Sequence, residues 1–262
     1  MKIFLAGCSS FMDVVEGALK GDFSKYIPDS KNKYTAENFY LLESFFYTKK
    51  DAKITKLLPY FKGFLLDSGA FTFRQATTKA DWNSYLDDYA DFINHHDVKL
   101  FFELDIDSEI GYNNVLKLRD RLEGLTNKKC IPVWHPNRGK QEFIKMCKEY
   151  PYVSLGGLVG SKSKGSNYIK YFPWFVQTAH YYGAQIHGLG YTHMSDLHRC
   201  HFDSVDSTSW TSGGRFGHIF KFNGNTLIKF DKPAGHRVKT RETCVNNFCE
   251  WTKFANWAET HL

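Results

Sequence analysis

The chain is 262 residues long, 42% hydrophobic and 17% aromatic, with a formal net charge of +6. This is enough apolar chain for one α/β barrel or two small domains. No apolar run reaches the roughly twenty residues that cross a bilayer, and MKIFLAGCSS reads as a first strand and not a signal-peptide core, so a soluble cytoplasmic protein is expected.

Short β-like runs alternate with longer amphipathic segments along the sequence. Lys2–Leu5 precedes a helical pattern at Met12–Leu19, and Leu41–Tyr47 reads as a second strand. Phe64–Asp67 ends at SGAF, ahead of a helical segment at Ala80–His95. Lys99–Asp105 ends in an acidic cluster and is followed by helical spacing at Val115–Leu122. Ile131–Trp134 runs into HPNRG before the helix Gln141–Glu149, and Tyr152–Leu155 runs into GGLVG before a helical stretch near Tyr168–Tyr182. Gln185–Gly188 and Asp203–Asp206 close the series, and Thr240–His261 has the spacing of an amphipathic C-terminal helix. No repeat or Pro/Gly linker divides the chain, so 1–262 is read as one unit, with a basic segment and helix over 222–262 packing on it. The alternation predicts parallel strands with right-handed crossovers, and eight such units make a (β/α)8 barrel of about this length. A doubly wound open sheet is the alternative, but GCSS after the first strand is a poor phosphate loop.

Polar residues fall where such a barrel would converge them. Asp67, Asp105, Trp134–His135, Gly156–Gly157, His187–Gly190 and Asp206 each end a predicted strand, and strand C-termini share one rim. Each has a plainer reading. Asp206, in SVDSTSWTSGGRFGH, suits a turn or helix cap; Asp67, in LLDSGAF, suits an Asx-turn. Glu103, Asp105 and Asp107 alternate along FFELDID, and three carboxylates on one strand face repel unless the face is wet, paired with cations or functional. SLGGLVG is either a tight turn or a backbone surface open to a planar ligand. His193, His198, Cys200 and His201 fit no common zinc spacing. The six cysteines are scattered without a CxxC pair, as expected of reduced thiols. Basic residues gather at Lys162, Lys164 and Lys170 and from Lys221 to Arg241; among so many aromatics, such patches suit nucleic-acid phosphates.

Five of these stretches, in order, resemble motifs of the tRNA-guanine transglycosylase superfamily, and more closely its DNA-acting, deoxypurine-in-DNA branch. LLDSGAF resembles DSGGFQ, ELDID an LDE-type strand end, SLGGLVG the motif GGLAVGE, HGLGYT the motif LMGVG, and SVDSTSWTSGGRFGH the motif FDCVxPTRxGRHGQ. The resemblance implies a barrel that breaks an N-glycosidic bond, with Asp206 as nucleophile at the sugar C1′ and Asp67 as general acid/base. It implies a base held by Asp105, with Asp107 as the second candidate, and by the backbone at Gly156, Gly157 and Leu158, with Trp134, His135 and Phe71 at the base. Arg215, His218, Lys162 and Lys164 would meet the nucleic-acid backbone around a flipped nucleotide. No cofactor or metal is expected. The family's CxCxxC zinc run is missing, so the zinc subdomain is not expected and the partner is DNA in preference to tRNA, with a free 7-deazaguanine base as a possible co-substrate. The family's purine-reading Gln–Gly pair is replaced by VWHP, which puts guanine recognition in doubt. Base exchange, hydrolysis by a DNA glycosylase (as in defence against modified phage DNA) and a non-catalytic nucleic-acid-binding barrel stay open.

Overall fold

The computed structural model describes residues 1–24, 27, 34–76, 80–157 and 169–262. Eight strands form one all-parallel sheet: β1 (Lys2–Ala6), β2 (Tyr40–Ser44), β3 (Gly63–Asp67), β4 (Leu100–Phe101), β5 (Val133–Trp134), β6 (Tyr152–Leu155), β7 (Gln185–Gly188) and β8 (Ser204–Ser207), in the order β4-β3-β2-β1-β8-β7-β6-β5. The arrangement is compatible with a TIM-like fold, and the two edge strands approach each other through an isolated parallel bridge between Phe102 and Ile131.

Pro132 faces the other way, toward β6, where its carbonyl accepts the Ser154 N–H, and backbone pairing between the two edge strands ends at that bridge. Side chains take over beyond it. The buried carboxylate of Glu103 accepts the Val133 N–H at 2.7 Å, and so stands in for a backbone acceptor on the neighbouring strand.

Alternation sorts the strand residues into two layers. Phe4, Ala6, Leu42, Leu65, Phe102, Ile131, Val133 and Tyr152 form an inner cluster. Residues between them, such as Leu41, Val153 and Val205, pack outward against the helices. The helix Thr240–His261 spans its predicted range and covers the outside of β1; Asn256 Nδ2 donates to the Asn38 carbonyl, and Thr252 Oγ1 accepts the Glu37 N–H. All six cysteines are buried and unpaired.

Two elements differ from the sequence reading. The second strand stops at Ser44, and Phe45–Thr48 is a helix despite its aromatic, β-favouring residues. The reason is tertiary: Gly69, at φ +66°, lies so close that a Cβ there would stand 2.4 Å from Ser44 Oγ and 2.7 Å from the Phe46 N. Two strand-end loops are therefore pressed together, and only glycine fits between them. Second, the basic stretch after residue 218 contains an antiparallel hairpin, β9 (Ile219–Phe222) and β10 (Leu227–Phe230). Asn223–Gly224 at its turn is the local signal that announces it. No helix among the described residues is long and apolar enough to cross a membrane.

Candidate active site

A cavity of about 630 Å³ opens at the C-terminal ends of the strands, and Asp67, Asp206, Gly157, Gly190, Glu43 and Arg215 are among the residues that line it. Its volume falls within the roughly 300–1,000 Å³ usual for ligand pockets. Asp206, the third residue of β8, is 6% exposed. Its Oδ1 accepts the Gly190 N–H at 2.5 Å and meets His187 Nε2 at 3.1 Å. Its Oδ2 accepts none among the described residues.

Asp67 ends β3 and is half-buried. The Asx-turn reading describes it correctly as far as it goes, since its Oδ2 accepts the Gly69 N–H at 3.0 Å. The carboxyl also faces the cavity. Burial pushes its pKa up to about 6, assisted by the charges of Asp206 and Asp105 and opposed by the Gly69 N–H. Two carboxyls of unlike environment thus share one void. One is held by donors; the other is biased toward its protonated form.

The acidic cluster after β4 resolves into pairs. Beyond Phe101 the chain leaves the strand, and Asp107 opens the short helix Asp107–Ile110, so strand alternation does not carry the three carboxylates to one face. They meet at Arg138 instead, whose side chain is 1% exposed: Nη1 lies 3.1 Å from Glu103, Nε 3.2 Å from Asp107 and Nη2 3.8 Å from Asp105. Arg119 lies 2.7 Å from the other oxygen of Glu103. Glu103 is therefore a structural anion. Asp105 Oδ1 pairs with His135 Nε2 at 2.6 Å. Burial disfavours the charged imidazole, but the Asp105 carboxylate more than offsets this and raises the His135 pKa. Burial also acts on Asp107, where the Arg138 charge outweighs it and holds the carboxyl below the usual range. Asp105, Asp107 and His135 offer ligand atoms within 4.8 Å of one another, and the cation among them is the Arg138 guanidinium.

The glycines after β6 serve this group. A Cβ on Gly156 would lie 2.7 Å from His135 Cε1, and one on Gly157, at φ +69°, would lie 3.1 Å from His135 Nδ1. The flat ring approaching this backbone is the protein's own imidazole.

Several predicted residues stand elsewhere. Trp134 is 4% exposed and faces the helical layer: its ring packs against Phe175 and Phe143, and Nε1 donates to the Gly139 carbonyl. It follows Val133, an inner residue, so alternation turns it outward and away from the cavity. Trp210 is likewise core, with Nε1 donating to the Ala6 carbonyl. His218 pairs with Asp231 on the hairpin, at 3.3 Å, and does not line the cavity. Arg215 does line it and is exposed. Phe71 belongs to the helix Ala70–Ala76; Leu158, Lys162 and Lys164 lie outside the described residues.

The structure sets His187, read from sequence only as part of the strand end His187–Gly190, behind the cavity wall, and adds Glu43, which no local pattern singled out. His187 is fully buried beneath Asp206. Glu43, on β2, is 2% exposed and lines the cavity, with its Oε1 accepting the Ser9 N–H at 2.8 Å. It forms no ion pair among the described residues, and burial pushes its pKa from 4.5 up to about 7 against the pull of the Ser9 N–H. The folded chain thus keeps a proton that the unfolded chain releases. This contribution to stability is full below pH 4.5 and is lost as pH rises through about 7. Glu43→Gln keeps an acceptor and removes the titration. Urea unfolding from pH 4 to 8 is expected to show the variant gaining about 3 kcal/mol on the wild type across that window, and parallel curves would refute the assignment.

No protein-family model matches this chain, and no curated protein matches it either.

Proposed function

We propose that this chain is a (β/α)8-barrel enzyme that cleaves the N-glycosidic bond between a base and deoxyribose in DNA. The observation that carries the reading is the pair of unlike carboxyls in one cavity: Asp206, held through Oδ1 with Oδ2 unengaged, and Asp67, with its pKa raised to about 6. A carboxylate at C1′ captures an oxocarbenium-like centre as an ester, and a carboxyl of higher pKa supplies the proton that the leaving base needs. Arg215, exposed at the cavity wall, suits a phosphate beside the flipped nucleotide. Asp105 and its partner His135, beyond the lining residues and next to Gly157, suit the edge of the base; with Nε2 on Asp105 the imidazole has only Nδ1 left, a narrower set than a Gln amide provides.

The group that resolves the Asp206 ester separates two outcomes. A free 7-deazapurine would make the enzyme a base-exchanging transglycosylase, whereas water would make it a glycosylase that leaves an abasic site. The test is incubation with single-stranded DNA, duplex DNA and tRNA, with and without free 7-deazaguanine bases, read by mass spectrometry. Base release from DNA is expected, with incorporation or abasic sites deciding between the outcomes. No release from any of these nucleic acids would overturn the reading.

A further inference from the structure

We propose that His187 is the positioning residue of Asp206: it carries its proton on Nε2 and donates it to Oδ1, locked in that tautomer by Ser204 and Tyr152, so that Oδ2 is the attacking oxygen. The inference rests on the reading of Asp206 as nucleophile, and it assigns work to three residues outside the cavity wall.

The four groups form one file. Asp206 Oδ1 meets His187 Nε2 at 3.1 Å, His187 Nδ1 meets Ser204 Oγ at 2.5 Å, and Ser204 Oγ hydrogen-bonds the Tyr152 hydroxyl. His187 and Ser204 are both 0% exposed and Tyr152 is 8% exposed, so the bonds behind Asp206 are shut off from water. The file is built by register. His187 pairs with Ser204 across β7 and β8, while Asp206 follows two residues on and returns to the same face of its strand. The rings of Phe4 and Phe102 flank the imidazole at 6.1 and 5.4 Å and restrict its tilt.

One premise orients every proton. An ionised carboxylate only accepts, so Nε2 must carry the hydrogen that it receives. In the neutral ring Nδ1 is then an acceptor and must be served by the Ser204 hydroxyl. That hydroxyl has spent its only hydrogen, so the Tyr152 O–H donates to it. The reverse order would place a bare Nε2 against Oδ1, two acceptors in a dry site, and is excluded unless Asp206 is protonated.

The consequence is asymmetric. His187 and Gly190 both donate to Oδ1, which fixes the carboxylate plane and leaves Oδ2 toward the cavity. The Oδ2–C1′ bond forms as the C1′–N bond breaks; the electron pair leaves with the base nitrogen and is neutralised by the Asp67 proton. Oδ1 becomes the ester carbonyl oxygen with both donors in place. When water or an incoming base later displaces Asp206, the same donors stabilise the returning charge.

The test reads the tautomer directly. Nitrogen-15 spectra of the ¹⁵N-histidine-labelled wild-type protein are expected to show His187 protonated on Nε2 with Nδ1 as acceptor; protonation on Nδ1 alone would overturn the proposal whatever the protein's activity. Single-turnover base release forms the second arm. His187→Leu is expected to slow it roughly ten- to a hundredfold, the worth of one hydrogen bond to a charged group, with affinity for a fluorescein-labelled DNA oligonucleotide unchanged and with partial recovery in His187→Gln. Wild-type rates in His187→Leu would also overturn it. An Nε2-protonated His187 in a protein that releases no base would count against the proposed reaction and leave the donor geometry standing.

Discussion

Replacing Arg138 with Met is expected to destabilise the fold by about 3–5 kcal/mol, the usual cost of removing one partner from a buried ionic network. Arg138 is nearly inaccessible, and its guanidinium lies 4.2 Å from the centre of the Tyr112 ring while reaching toward three carboxylates. Met roughly preserves the stem's packing and deletes the charge. Glu103 would keep Arg119, but Asp105 and Asp107 would be left with His135 and the neutral Asn137 amide. The location multiplies the effect, because β4 and β5 share only the Phe102–Ile131 bridge and Arg138 also donates to the Val133 carbonyl on the β5 side. Urea midpoints measure the loss. A double-mutant cycle with Glu103→Gln gives the coupling, expected to exceed about 1 kcal/mol for residues in one network. A midpoint within about 0.5 kcal/mol of wild type, the range of ordinary surface substitutions, would mean that the network carries no net stability.

That network also marks where sequence reasoning reached its limit. The even spacing of Glu103, Asp105 and Asp107 was legible, and pairing with cations was one of three ways to relieve their repulsion. The cations themselves were not, since Arg119 and Arg138 meet Glu103 only through tertiary folding. Asp67 and Asp206 could be picked out because each ends a short β-like run with small polar residues after it, a local signature. Glu43 sits between Leu42 and Ser44 with nothing local to distinguish it, and becomes a buried acid only when the Cys8–Phe11 turn brings the Ser9 N–H onto it. His187 was seen as part of a strand end, but its link to Asp206 depends on the register of β7 against β8, which no single stretch encodes. Trp134 failed for the opposite reason. Aromatic character suggested a base-stacking wall, whereas parity along β5 had already turned the ring toward the helices.

Asp206→Ala is expected to lower base release by at least about 10⁴-fold, as the loss of a covalent nucleophile generally does, and to eliminate any covalent adduct between protein and DNA. The fold should survive. The substitution removes an acceptor from His187 and Gly190 without inserting bulk, and the space left adjoins an open cavity where water can replace it. Circular dichroism and affinity for a DNA oligonucleotide are therefore expected to match the wild type. Asp67→Asn separates the two carboxyl roles. It keeps an acceptor for the Gly69 N–H but cannot give up a proton, so release is expected to fall about 10²–10⁴-fold. The deficit should shrink for a base that leaves well without protonation, since the missing proton then matters less. An equal deficit in Asp67→Asn for good and poor leaving groups would locate Asp67 in binding or positioning, not proton transfer. A full rate in Asp206→Ala would remove the nucleophile from its assigned place.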